Sequence, residues 1–182
     1  VTFTGHSLGG GVAAYAAALC AEILDSGTRL PREGLPAVQC FSFGAPGLCS
    51  LETSHGLKAF VASFCHACDV VPRLSFGHVL ELHDRAMSAA AGGHDGSGGT
   101  GRRGWEKLFP AGRCFLVHAD GRVAEVEPEA LAPHISLAGG RRLVTDHFPP
   151  QYEAALRAGL SCSVDDAAGP PPGGQSGARS SL

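Results

Sequence analysis

The residues best suited to chemistry begin at the seventh position. Val1-Thr2-Phe3-Thr4, a β-branched and aromatic run, is followed at once by Gly5-His6-Ser7-Leu8-Gly9 and then by Ala13-Ala14-Tyr15-Ala16-Ala17-Ala18-Leu19. Strand, sharp turn and helix are the setting in which Gly-x-Ser-x-Gly acts as a nucleophile elbow. Turning a strand into a helix within two residues strains the backbone at Ser7 and pushes its hydroxyl off the sheet edge. Gly5 and Gly9 are expected to lack side chains because a Cβ would collide across so tight a turn. The Leu8 amide falls at the helix N-terminus, where unpaired N–H groups and the helix dipole favour an oxyanion.

A serine hydroxyl is a poor nucleophile at neutral pH unless a base reaches it and a carboxylate fixes the tautomer of that base. On elbow-bearing folds the chain order is Ser, then Asp or Glu, then His. Asp69 is the best-placed carboxylate, just past an apolar strand and followed by Val70-Val71-Pro72-Arg73, whose proline fixes the loop. Asp84 falls within a helical pattern and Asp25 at the far end of a helix, while Asp146 reads as a turn or helix-start residue. Nine histidines compete for the base. His6 should point away from the serine, because neighbouring strand residues diverge. His147 sits in a loop running into a helix and is the preferred base, with His134 as the alternative. His83 reads as the edge of an amphipathic helix.

These residues need a sheet to hold them. The spacing predicts a helix from Leu8 to Asp25, stopped by Gly27 and the loop prolines Pro31 and Pro36. Ala37–Phe43 and Lys58–Cys65 are near-continuous apolar strands, and Ser50–His55 is a short helical piece. Such strands, separated by helices, imply an α/β fold with a largely parallel sheet, in which chemistry collects at the carboxyl ends of the strands. A helix over Ser75–Ala90 follows. Asp120-Gly121 centres a hairpin within Arg113–Val126. Glu127–Leu137 has no readable pattern, and a last helix covers Pro150–Ala158. The domain spans 1–162, interrupted by a flexible Gly-rich insertion at about 91–104 that holds His94 and Asp95; residues 163–182 form a Gly, Pro and Ser-rich disordered tail.

The whole chain narrows the function classes. Its 182 residues suffice for one domain with a core, 44% of them are hydrophobic, and the net charge of −3 with scattered Lys and Arg gives no nucleic-acid footprint. The apolar run from Gly9 to Leu24 is mostly Ala and Gly and carries Glu22, which suits a helix lying close on a sheet rather than a membrane span. The chain opens inside a strand and so reads as a fragment whose first strands lie upstream. Seven cysteines at irregular spacing argue against a disulfide framework and for a reducing compartment. Cys65-His66-Ala67-Cys68 is a single C-x-x-C without a second ligand pair, so no metal site is expected.

Three blocks, Gly5-His6-Ser7-Leu8-Gly9-Gly10, Asp69-Val70-Val71-Pro72-Arg73 and Asp146-His147-Phe148-Pro149-Pro150-Gln151-Tyr152, resemble the active-site blocks of class 3 (fungal-type) lipases. Within that group the chain is most similar to sn-1-specific diacylglycerol lipases, through Cys40-Phe41-Ser42-Phe43 and the Leu108-Phe109-Pro110-Ala111-Gly112-Arg113 entry to the later strands. The resemblance implies the C-terminal part of an α/β-hydrolase fold. It also implies Ser7 as nucleophile, Asp69 as orienting carboxylate, His147 as base and then acid, and the Leu8 amide as one oxyanion donor, the second lying before Val1. The implied reaction is cofactor-free hydrolysis of glycerolipid esters through an acyl-enzyme, at a membrane or lipid interface, in an intracellular or membrane-associated protein. Any membrane anchor would lie upstream, and the Gly-rich insertion stands where these lipases carry a variable loop. The alternatives are another esterase on the same fold, such as a phospholipase A1 or thioesterase, and a non-catalytic lipase-like module that binds lipid or a partner.

Overall fold

The computed structural model describes residues 1–26, 37–90, 106–131 and 140–167. The loop prolines Pro31 and Pro36, the insertion with His94 and Asp95, His134 and the tail beyond residue 167 lie outside the described residues. Among the described residues the strands form a five-stranded sheet in sequence order, β1 (Thr2–His6), β2 (Gln39–Phe43), β3 (Val61–His66), β4 (Arg113–Val117) and β5 (Val123–Val126). The first four are parallel and β5 closes the sheet as an antiparallel edge, so the fold is α/β with a mostly parallel sheet. The helices are α1 (Leu8–Ser26), α2 (Leu51–Gly56), α3 (Phe76–Ala90), α4 (Pro128–Leu131), α5 (Arg142–Thr145) and α6 (Pro149–Ala167).

Small residues set the depth of α1. Ala13, Ala14 and Ala17 are buried against Cys40 and Val61, so the helix backbone lies close to β1 and β2. In so tight an interface, added methylenes cost about 1–3 kcal/mol. On the other sheet face Phe43, Phe64 and Phe115 stack across β2, β3 and β4 at centroid separations of 4.9 and 5.2 Å. Tyr152 of α6 meets Phe43 edge-on from that side, at 6.3 Å. The two faces follow from strand alternation: Cys40 and Ser42 point to α1, Phe41 and Phe43 away from it.

The segment before β4 is pinned by side chains. Ser54 of α2 donates to the Pro110 carbonyl at 2.7 Å and Ser63 of β3 to that of Ala111 at 2.6 Å, while Cys49 and Phe109 form an isolated bridge. Gly112 has a φ of +76°, and a Cβ there would stand 2.2 Å from the Val61 carbonyl oxygen, so only glycine fits.

The elements differ most from the sequence reading in the places that follow. The hairpin connection runs through residues 118–122, longer than a two-residue Asp-Gly turn, with Gly121 at φ +88° and its backbone against Gly159 of α6. The unreadable stretch after Val126 begins with a short helix whose Leu131 is buried beside Cys65 and Cys114. The last helix continues to Ala167, past Ala158 and through the first residues assigned to a disordered tail, because 159–167 contains neither proline nor a further glycine after Gly159. Among the described residues no helix is long and apolar enough to cross a membrane.

Candidate active site

The turn between β1 and α1 carries Ser7 at φ +56°, a left-handed conformation rare for serine, which the surrounding hydrogen bonds sustain. Its amide donates to the Phe43 carbonyl at 2.8 Å, and its own carbonyl accepts from Gly10 at 3.0 Å and Gly11 at 3.2 Å. Gly5 is required: a Cβ there would lie 2.3 Å from the Gly9 carbonyl oxygen. Gly9 itself would carry a Cβ into open space, contrary to the expected collision at both positions. The tight neighbours are instead Gly10, whose Cβ would meet the Ser42 hydroxyl at 2.8 Å, and Gly11, whose Cβ would meet Leu48 at 3.0 Å. Leu8 opens α1, so its amide has no helical acceptor one turn back and is available to an anion.

Asp69 and His147 arrive from distant loops. Asp69 follows β3, is fully buried, and accepts from the Val71 amide at 2.9 Å. Arg73, in the short 3-10 turn Val71–Arg73, reaches back from a buried position. Its guanidinium donates to the carbonyls of Asp69 (3.0 Å), Ala67 (2.5 Å) and Leu131 (3.2 Å), binding together both sides of the Asp69 loop. His147 lies between α5 and α6. Its Nδ1 stands 3.1 and 3.0 Å from the two Asp69 carboxylate oxygens, and its Nε2 2.9 Å from Ser7 Oγ. Ser7, His147 and Asp69 therefore form one hydrogen-bonded chain across three segments.

Further side chains close on this chain. Tyr152 is buried in the first turn of α6; its hydroxyl donates to Asp69 Oδ2 at 2.5 Å and accepts from the His66 amide at 3.0 Å. Burial and the neighbouring Asp69 charge push the phenol well above its ordinary pKa, so it stays a donor. Gly44, at φ +59°, leaves the space these groups need: a Cβ there would stand within 3.0 Å of Asp69 Oδ2, 3.1 Å of the Tyr152 oxygen and 3.2 Å of His147 Nδ1. The rings of His6 and His147 lie 4.7 Å apart. Asp146 is buried and turned away from Ser7's partners; its carboxylate accepts from the Cys68 amide at 3.1 Å and faces Arg142 at 3.7 Å, tying the His147 loop to the end of β3. Asp84 is exposed beside His83, as expected of a solvated pair.

Cys65 is buried on β3, with its thiol pushed up to about 12 mainly by burial, and Cys68 is half-buried in the loop after it. A thiol held in that range stays protonated at neutral pH and is a poor nucleophile and metal ligand.

Sequence reasoning missed Tyr152, Gly44 and His6 as neighbours of the site. A signal existed for Tyr152, its place in the block after His147; for the other two there was none, since their contacts are made by segments that return from far along the chain.

The family model for lipase (class 3) matches residues 1–78, a span that contains Ser7 and Asp69 and stops short of His147. The match covers less than half of the chain. A solved structure described as M37 lipase is similar at 17% identity and a TM-score of 0.40, over 86% of this chain and 50% of that one. The chain thus spans about half the length of that structure. No curated protein matches the sequence.

Proposed function

We propose that the chain carries the reacting groups of a serine lipase: Ser7 as nucleophile, His147 as general base and then acid, and Asp69 as the carboxylate that orients His147. The observation that carries this reading is the continuous pairing of Ser7 Oγ to His147 Nε2 at 2.9 Å and of His147 Nδ1 to Asp69 at 3.0 Å. In the reaction, Ser7 Oγ attacks an acyl carbonyl and passes its proton to His147 Nε2. Asp69 holds the Nδ1 proton and stabilises the imidazolium, and the Leu8 amide donates to the oxyanion. His147 then gives the proton to the leaving alcohol, and water, deprotonated by the same ring, releases the fatty acid.

The substrate reading is a glycerolipid ester, diacylglycerol above all. Apolar side chains flank the reacting groups on both sides: Leu8 beside Ser7 is 72% exposed, and Val144 and Phe148 around His147 are 60% and 54% exposed. An apolar rim at the mouth of a hydrolytic site suits acyl chains presented at a lipid interface.

The test is fluorophosphonate labelling of the full-length protein, wild type beside Ser7→Ala, followed by a panel of glycerolipids. Labelling is expected in the wild type and absent in the variant, with ester turnover down by at least about 10⁴-fold. His147→Ala should be nearly as severe and His134→Ala mild. Turnover retained in Ser7→Ala overturns the nucleophile, and the reverse histidine result moves the base. A preference for phospholipid or thioester over diacylglycerol replaces the substrate.

A further inference from the structure

The last residues of two strands are histidines, and both point their rings into the loop that carries His147. His6 closes β1 and His66 closes β3, one on either side of β2. His6 Nε2 lies 2.7 Å from the His147 carbonyl oxygen, and His66 Nδ1 lies 3.2 Å from the Asp146 carbonyl oxygen. The two acceptors are consecutive in the chain. Tyr152 fills the space between the two rings, at centroid distances of 5.8 Å from His6 and 5.4 Å from His66.

A carbonyl oxygen only accepts, so each imidazole must supply the proton. His6 therefore carries hydrogen on Nε2 and His66 on Nδ1, and the two imidazoles grip adjacent peptide units from opposite ring nitrogens. The gripped units are those on which the orientation of His147 depends. With its backbone fixed on both sides, the His147 ring has little freedom to swing away from Ser7, and the His6 ring at 4.7 Å backs it from behind.

We propose that His6 and His66 are positioning residues. Donating from the ends of β1 and β3 to the carbonyls of His147 and Asp146, they hold the His147 imidazole in line with Ser7. The inference rests on the assignment of Ser7 and His147 made above. It concerns two side chains that act on His147, His66 through the loop and His6 through both the loop and the ring contact. Its size follows from the steepness of reaction rate with geometry, where a displacement of about 1 Å costs on the order of 100-fold.

The experiment compares donor-deleting with donor-retaining variants of the full-length protein. Glutamine places an amide N–H where His6 has Nε2, and asparagine places one where His66 has Nδ1; phenylalanine and leucine place none. The readouts are the rate of Ser7 labelling by a fluorophosphonate and the kcat and KM for a short-chain nitrophenyl ester. We expect His6→Phe and His66→Leu to slow labelling and lower kcat by about 10- to 100-fold. KM should move by less than about threefold, as for groups that act on alignment rather than on substrate binding. His6→Gln and His66→Asn should recover most of the loss. A His6→Phe protein as fast as wild type, or a His6→Gln protein as slow as His6→Phe, overturns the inference while leaving the serine assignment standing. A folded wild type that never labels overturns the serine assignment and takes this inference with it. Should the donor-deleting variants not fold, ring-¹⁵N histidine spectra of the wild type decide the matter. Protonated Nε2 on His6 and protonated Nδ1 on His66 support the arrangement, and the opposite tautomer on His6 overturns it.

Discussion

Tyr152 is the residue on which most of the buried polar network converges. It donates to Asp69 and accepts from His66, so Tyr152→Phe removes both bonds, leaving a buried carboxylate oxygen and a buried amide short of partners. We expect the variant to lose about 1–3 kcal/mol of stability, the ordinary cost of leaving buried groups unpaired, measured as a lower urea midpoint. Its kcat should fall by about tenfold through a less constrained Asp69. Because the phenol pKa is raised, the wild-type bond persists through the alkaline range, and the pH–rate profile should show no alkaline loss traceable to Tyr152. That Ser7, Asp69 and His147 would come together was legible because each sits in a short block with its own local logic: an elbow, a proline-fixed loop, a loop before a helix. His6 was not legible in the same way. Alternation along a strand does send its side chain away from Ser7, but only the fold reveals that a loop 141 residues later returns to meet it.

Elements were legible where their patterns were long. α1, α3 and the three strands before residue 70 lie within a few residues of where apolar periodicity puts them. Boundaries that depend on packing were not legible. The wide β4–β5 connection is set by Gly121 seating on Gly159, and the unpatterned stretch after Val126 is organised by one buried leucine, Leu131. The elbow permits a sharp comparison at this level. Gly5→Ala drives a Cβ to 2.3 Å from backbone that cannot move without opening the turn, whereas Gly9→Ala meets nothing within 4 Å. Gly5→Ala should cost about 3 kcal/mol or more. Gly9→Ala should cost less than about 1 kcal/mol, helped by the better helix propensity of alanine. Equal urea midpoints for the two variants would contradict the geometry.

At the level of the whole molecule, the sheet order equals the chain order, so each strand pairs with its neighbour in sequence. β3 has partners on both edges and is buried at Val61, Ala62's neighbour Ser63, and Cys65, whereas β5 is an exposed edge. Native-state hydrogen exchange should therefore be slowest at the β3 amides and fastest among strands in β5, since protection follows burial and shared pairing. Faster exchange in β3 than in β5 would mean that the sheet opens from its middle. The distance between Ser7 and His147, 140 positions, has a meaning in time as well as in space. A ribosome adding about 5–20 residues each second makes Ser7 on the order of 10 s before it makes His147. Throughout that interval the nascent chain holds a serine without its base. On the proposed roles, the hydrolytic centre is therefore silent during synthesis and is complete only once the His147 loop has been made.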